Sequence, residues 1–229
     1  MTVVITSNRL AAKPELFVAT RTGASSWSTP AAIPTIADAS NNYAPVWTRA
    51  GTELYFGSDR AAGTPTAFVS SWDGATFGAP APAAGFANQE FQGPAFDDDD
   101  LEMFFTTLTS PTQLMRATRT TTSSAWTIDG VVTELDDPAA DDGWPTLSSD
   151  GLTMFFESDR NSDPGNIYVA TRPAIGSPFG TATAVTELNT PANDGDPDLS
   201  PDGLTLMLAS DFGHAALDSK IFATSRTCN

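Results

Sequence analysis

Carboxylates, carboxamides and aromatic rings gather in four short stretches of this sequence: Asn41-Asn42-Tyr43, Gln89-Glu90-Phe91-Gln92, Asp141-Asp142-Gly143-Trp144 and Asn193-Asp194-Gly195-Asp196. Two chemistries follow from these residue types. Carboxylates of Asp142, Asp194 and Asp196, with Asp141 and Asn193 beside them, offer oxygen ligands to a hard cation such as Ca2+, which takes about six to eight of them. The spacing is not that of an EF-hand loop, so composition alone points to the metal. Alternatively, Tyr43, Phe91 and Trp144 offer apolar faces while Asn42, Glu90, Gln92 and Asp142 offer directional hydrogen bonds, a combination suited to a sugar or a peptide side chain.

These stretches recur because the chain does. Pro45, Pro94, Pro145 and Pro197 are spaced by 49, 51 and 52 residues, and each opens the same phrase. A turn follows each proline, at Ala50-Gly51, Asp98-Asp99, Asp150-Gly151 or Asp202-Gly203, and an apolar run follows each turn: Leu54-Tyr55-Phe56, Met103-Phe104-Phe105, Met154-Phe155-Phe156 and Leu206-Met207-Leu208. Val3-Val4-Ile5-Thr6 matches these runs and makes a fifth copy, entered partway through. Ser7-Asn8-Arg9, Ser58-Asp59-Arg60, Ser158-Asp159-Arg160 and Ser210-Asp211-Phe212 close four of the runs, whereas the third copy has Thr106-Thr107-Leu108.

A third strand is the most uniform, from Leu16-Phe17-Val18 and Ala67-Phe68-Val69 to Ile167-Tyr168-Val169 and Ile221-Phe222-Ala223, and a weaker fourth fits near Ala31, Ala81, Gly130 and Thr183. Four short strands in a unit of about 40 to 50 residues is the signature of a propeller blade. The predicted fold is therefore all-β: a five-bladed β-propeller of four-stranded antiparallel blades, in which the first or last blade, or both, is short of a strand. The repeats run over 1–42, 43–91, 92–142, 143–194 and 195–229, with the ring seam expected between residues 1–10 and 220–229.

Charge bounds the partners. The formal net charge is −17, which excludes nucleic acid, whose phosphates demand a basic surface. It opposes anionic membrane surfaces in the same way, and no apolar stretch approaches the ~18 residues of a membrane helix, so no membrane insertion is expected. Cys228 stands alone, so no intrachain disulfide forms.

Leu199-Ser200-Pro201-Asp202-Gly203-Leu204-Thr205, Leu147-Ser148-Ser149-Asp150-Gly151-Leu152-Thr153 and Asn166-Ile167-Tyr168-Val169-Ala170-Thr171-Arg172 resemble the TolB-like (WD-like) β-propeller repeat. The resemblance is strong over residues 144–226 and looser before, and it departs at Phe96-Asp97-Asp98-Asp99-Asp100 and Thr48-Arg49-Ala50-Gly51. It implies blades around a channel with each first strand innermost, a role as a binding platform, and a periplasmic or extracellular location. It carries no binding residue over, since the match lies in the blade framework.

Within that framework Asp-Gly serves tight hairpins. Ser58-Asp59-Arg60 and Ser158-Asp159-Arg160 suit loop anchoring, with the guanidinium reaching a carboxylate or carbonyl of a neighbouring blade. Arg21, Arg119, Arg172 and Arg226 invite the same structural reading, and Asp97 to Asp100 reads as a solvated turn. Strand alternation puts the four polar stretches on one face, where they converge on the channel mouth. One histidine, His214, rules out a histidine metal cluster, and a Gly-x-Ser-x-Gly elbow is absent. The expected function is a non-catalytic binding or scaffolding module for a protein partner or a carbohydrate, with Ca2+ as the candidate cofactor. Carboxylate pairs leave a glycosidase or lyase as the alternative.

Overall fold

The computed structural model describes residues 1–8, 13–24, 26–61, 65–161, 164–213 and 220–225. His214, Cys228, Arg9 and Arg226 lie outside these. The described strands form five antiparallel sheets. Blade 1 holds β1 (Thr2–Ser7), β2 (Glu15–Thr20) and β3 (Ala31–Ala32). Blade 2 holds β4 (Asn42–Trp47), β5 (Glu53–Ser58), β6 (Thr66–Ser71) and β7 (Ala81–Pro82). Blade 3 holds β8 (Gln92–Phe96), β9 (Glu102–Thr106), β10 (Leu114–Thr118) and β11 (Thr127–Val131). Blade 4 holds β12 (Asp142–Leu147), β13 (Thr153–Ser158), β14 (Asn166–Thr171) and β15 (Thr183–Ala184). Blade 5 holds β16 (Asp194–Leu199), β17 (Thr205–Ser210) and β18 (Lys220–Ser225).

The architecture is the predicted five-bladed propeller. Among the described residues both terminal blades have three strands, without an innermost strand in blade 1 or an outermost one in blade 5. No described strand of blade 5 joins the sheet of blade 1, so the expected seam shows no strand pairing among the described residues.

Each innermost strand carries the same irregularity. Its register with the second strand shifts between Tyr43 and Val46, Gln92 and Ala95, Gly143 and Thr146, and Gly195 and Asp198. At each shift the residue before the proline adopts positive φ: Ala44 at 49°, Gly93 at 53°, Trp144 at 48° and Asp196 at 49°. A bulge of this kind turns a side chain out of the regular alternation. The repeated proline fixes its own φ just after the positive-φ residue and removes a donor that the bulge leaves unpaired.

This register also corrects the alignment of the third copy: Gln92 opposite Thr106 matches Gly143 opposite Glu157, so Thr107-Leu108-Thr109 occupies the triplet position.

Three apolar cores fill the gaps between consecutive blades from 1 to 4. Val4, Leu16, Ile33 and Ile36 of blade 1 meet Leu54, Phe56, Phe68 and Phe77 of blade 2. Tyr55, Ala83 and Phe86 meet Phe96, Met103, Ala117 and Trp126. Phe104, Val132 and Leu135 meet Leu147, Met154, Ala170 and Phe179. Burying each such large side chain contributes about 1.5–3 kcal/mol, enough to join blades that could not bury their faces alone.

The outer part of each gap is sealed by an aromatic ring at constant spacing. Phe77, Trp126 and Phe179 are buried, and each precedes by six residues an apolar side chain (Ala83, Val132, Val185) and by nine a second (Phe86, Leu135, Leu188). The amides of Ala83, Val132 and Val185 donate to Ala67, Leu114 and Ile167 of the third strands, all at 2.9 Å. The guanidinium of Arg119 lies 4.3 Å over the Trp126 ring and that of Arg172 4.8 Å over Phe179. Their Nε atoms donate to Asp100 O and Gly151 O, so these strand-end arginines fix the ring against the blade's own hairpin.

Candidate functional site

In blades 2 and 4 the serine-centred triplet ties the inner strand to the blade before it. Arg60 Nη2 donates to Asn42 Oδ1 at 2.7 Å and to Ile36 O at 2.9 Å, while Nε donates to Ser58 Oγ at 3.0 Å. In blade 4, Arg160 repeats this toward Asp142 Oδ1 at 2.6 Å, Leu135 O at 2.6 Å and Ser158 Oγ at 2.8 Å. Asp59, Asp159 and Asp211 accept the amides of Asn41, Asp141 and Asn193, each at 2.8 Å. Each of these polar stretches is thus tied to its own blade, and much of its chemistry is consumed in holding it there.

Several of the expected site residues are held in this way. Asn42 and Asp142 are fully buried; Asp142 Oδ2 also accepts the Asp137 amide at 2.7 Å. Burial pushes the Asp142 carboxyl up, against the pull of Ser158, the Asp137 amide and Arg160. Phe91, expected at the rim, is fully buried in the core with Phe86 and Phe105 because blade 3 has an apolar residue where blade 4 has Asp142. Glu90 accepts the amides of Leu108 and Thr109 at 2.9 Å and the Thr109 hydroxyl. The Thr109 hydroxyl and these amides hold its carboxyl below the usual range.

Tyr43 lays its ring over Gly57, where a Cβ would stand 2.4 Å from Cε2. Its hydroxyl is buried without a partner among the described residues, and desolvation, then the charges of Asp59 and Glu90, raise its pKa. Asp194 is buried, with Oδ2 accepting the Thr190 hydroxyl at 2.9 Å. Asn193 Oδ1 accepts the Gly165 amide at 3.0 Å, and Gln92 Nε2 donates to Thr107 O at 3.3 Å. Asp142, Asp194 and Asp196 do not converge, and among the described residues no group of three or more acidic, cysteine or histidine side chains has metal-binding geometry.

Asp97 and Asp100, expected in a solvated turn, are buried. Asp97 Oδ1 accepts the Leu101 and Glu102 amides at 2.8 and 3.0 Å, and Asp100 accepts the Arg49 and Ala50 amides of blade 2 at 2.7 and 3.1 Å. Four adjacent carboxylates thus divide, two serving backbone and two facing solvent.

Trp144 and Asp196 remain, and the bulge explains why. The positive-φ residue donates its amide to a side chain of the preceding blade's second strand: Ala44 to Thr6 Oγ1 at 3.1 Å, Trp144 to Thr106 Oγ1 at 2.8 Å, Asp196 to Glu157 Oε2 at 3.2 Å. The latch uses only backbone on the bulge side, which frees the bulged side chain: alanine and glycine in blades 2 and 3, tryptophan and aspartate in blades 4 and 5. Trp144 is half-buried beside Gly93, and Asp196 is solvent-exposed.

Glu157 was not among the expected residues. It stands where other copies have Thr6, Gly57 and Thr106, and it is the one acid in that column, a signal visible when the repeats are laid together. Its carboxyl packs against Gly195 and Gly165. Burial, then the charge of Asp196, pushes it up to about 7, with Asp159 and Asp141 adding to the field. Surrounding protein also raises Asp196 and Asp198, although both are open to solvent.

At the opposite strand ends Arg49 Nη2 of blade 2 donates to Leu147 O of blade 4 at 3.1 Å, and its charge opposes the rise at Asp198.

No family model matches the sequence, and no curated protein matches it. Among solved structures, TolB from Acinetobacter baumannii superposes with a TM-score of 0.61 at 16% identity over 98% of this chain and 49% of that one. A GH43 endo-arabinanase from Bacillus licheniformis gives 0.61 at 14% identity over 98% and 89%. The periplasmic gluconolactonase of Pseudomonas aeruginosa gives 0.54 at 14% over 98% and 69%. The chain spans about half the length of the Acinetobacter TolB. At these identities the likeness establishes the propeller fold, which unrelated functions share. No helix among the described residues is long and apolar enough to cross a membrane.

Proposed function

We propose that this chain is a binding module that works outside the cytoplasm and receives a cationic side chain of a protein partner at the acidic mouth of its channel. The reading rests on one observation: the two bulge positions that carry large or charged side chains, Trp144 and Asp196, flank the one blade gap whose latch is a carboxylate, Glu157. An aromatic face and carboxylates carried on adjacent inner strands suit a lysine or arginine head group. Glu157, near neutrality, donates or accepts a hydrogen bond according to its proton.

A peptide array probed with the full chain tests this. Preference for Arg- and Lys-bearing peptides, lost in W144A and D196N and weakened by salt, supports the reading. Retention of that preference in both variants overturns it.

Carbohydrate binding is the second reading, favoured by the same tryptophan beside carboxylates. A glycan array run in parallel separates it: sugar binding that depends on Trp144, with no peptide preference, replaces the protein-binding proposal.

A further inference from the structure

The gap between blades 4 and 5 is the one adjacent pair whose aromatic seal is missing among the described residues. A cavity of about 260 Å³ occupies that place. Its walls are Phe155, Val185, Leu188, Leu199, Leu206 and Thr224. By register and hydrogen bonding these correspond one for one to Tyr55, Ala83, Phe86, Phe96, Met103 and Ala117, the residues clustered with Trp126 between blades 2 and 3. The cavity is thus a preformed socket for an aromatic ring, made by the same repeat that fills it elsewhere.

The backbone beside the socket is open too. β18 pairs with β17 on one edge, and no described strand takes the other. Ile221 is 81% exposed, whereas its counterparts Ala67, Leu114 and Ile167 are at most 1% exposed. Met207, the counterpart of buried Tyr55 and Phe104, is 42% exposed.

We propose that β18 and this socket bind an extended segment of a partner polypeptide by β-strand addition. The filled blades define its chemistry. An aromatic anchor enters the socket, an aliphatic residue follows six positions later and a second apolar residue nine positions later, as in Phe77/Ala83/Phe86, Trp126/Val132/Leu135 and Phe179/Val185/Leu188. The amide after the anchor donates to Ser225 O, as Gly78 and Gly180 donate to Ser71 O and Thr171 O. The amide six positions after the anchor donates to Ile221 O, as Val185 donates to Ile167 O. The two following apolar side chains then cover Met207 and Ile221. Main-chain bonds supply affinity and the ring supplies selectivity, the usual division in strand addition.

The test uses a synthetic peptide of residues 174–190, which carries Phe179, Val185 and Leu188, titrated into the full chain by calorimetry with a parallel melting curve. Saturable one-to-one binding and a Tm raised by several degrees are expected. Replacing Phe179 of the peptide by Ala, or N-methylating its Gly180 or Val185 amide, is expected to weaken binding at least about tenfold, a loss of about 1.4 kcal/mol. These changes leave the protein untouched, so misfolding of a variant cannot mimic them. No saturable binding, or equal binding of all peptides, overturns the proposal. Self-association of the chain that the peptide competes away overturns it in favour of a second copy on this edge.

Discussion

Asp194 occupies in blade 5 the place that Asp142 occupies in blade 4, yet its Oδ1 is buried with no hydrogen-bond partner among the described residues. Asp142 meets Arg160 at 2.6 Å; at the corresponding position blade 5 has Phe212, which is 53% exposed. Blade 3 has changed both partners, to buried Phe91 and Thr109, and keeps its packing. Blade 5 has changed one.

Phe212→Arg is therefore expected to stabilise the chain. The Phe212 amide already donates to Ser210 Oγ at 3.1 Å, as those of Arg60 and Arg160 donate to Ser58 and Ser158, so the backbone is set for the guanidinium. A gain of about 1–3 kcal/mol in urea unfolding is expected, the scale of a hydrogen bond to a charged group. The gain should shrink in a D194N background, where no charge awaits a partner.

Arg160→Met works in the opposite direction. It leaves Asp142 charged and buried, which costs about 3–5 kcal/mol. Arg60→Met removes the same contacts from neutral Asn42 and should cost nearer 1–3 kcal/mol, roughly the penalty for an unsatisfied neutral group. Equal losses in the two unfolding curves would show that the ring contacts with Phe56, Phe68, Phe156 and Tyr168 outweigh the charge.

Glu157 makes stability depend on pH. Its carboxyl rises from 4.5 to about 7 on folding, so between these values the folded chain holds a proton that the unfolded chain has released. Its contribution is present in full below the unfolded value and is lost as pH rises through 7. Glu157→Gln stays neutral throughout. The variant is expected to match the parent below pH 4.5 and to exceed it by about 2 kcal/mol at pH 8, a discounted value for a partly exposed group. Parallel melting curves across that range provide the check.

The repeat was legible because five copies solve one packing problem with the same residue types. Prolines at steady spacing marked the inner strands, and Asp-Gly marked hairpins such as Gly151 at φ 66° and Gly203 at φ 67°. The site was less legible, since a carboxylate in a loop reads the same whether it faces solvent or an arginine. Asn42 and Asp142 were drawn inward by arginines two residues past Ser58 and Ser158, a pairing across 18 residues that spacing alone does not reveal. Phe91 reads as a rim aromatic until the register sets it in the Asp142 column. Glu157 hid inside an apolar run, and only its neighbours on the next blade, Gly195 and Asp196, give it a role.

That contact yields the last prediction. A Cβ on Gly195 would stand 2.0 Å from Glu157 Oε2, and one on Gly143 would stand 2.6 Å from Thr106 Cγ2. Both glycines hold the position where an inner strand passes the latch residue of the preceding blade. Gly195→Ala must therefore displace the Glu157 carboxylate and break its bond to the Asp196 amide, at a cost of about 1–3 kcal/mol. Glu157→Gly copies the glycine found at residue 57 and opens the space the new methyl needs. Were the cost purely one of backbone freedom, G195A and E157G would add. If the clash is the cause, the double variant should recover most of the loss, and a double-mutant cycle in urea should return a coupling of at least about 0.5 kcal/mol.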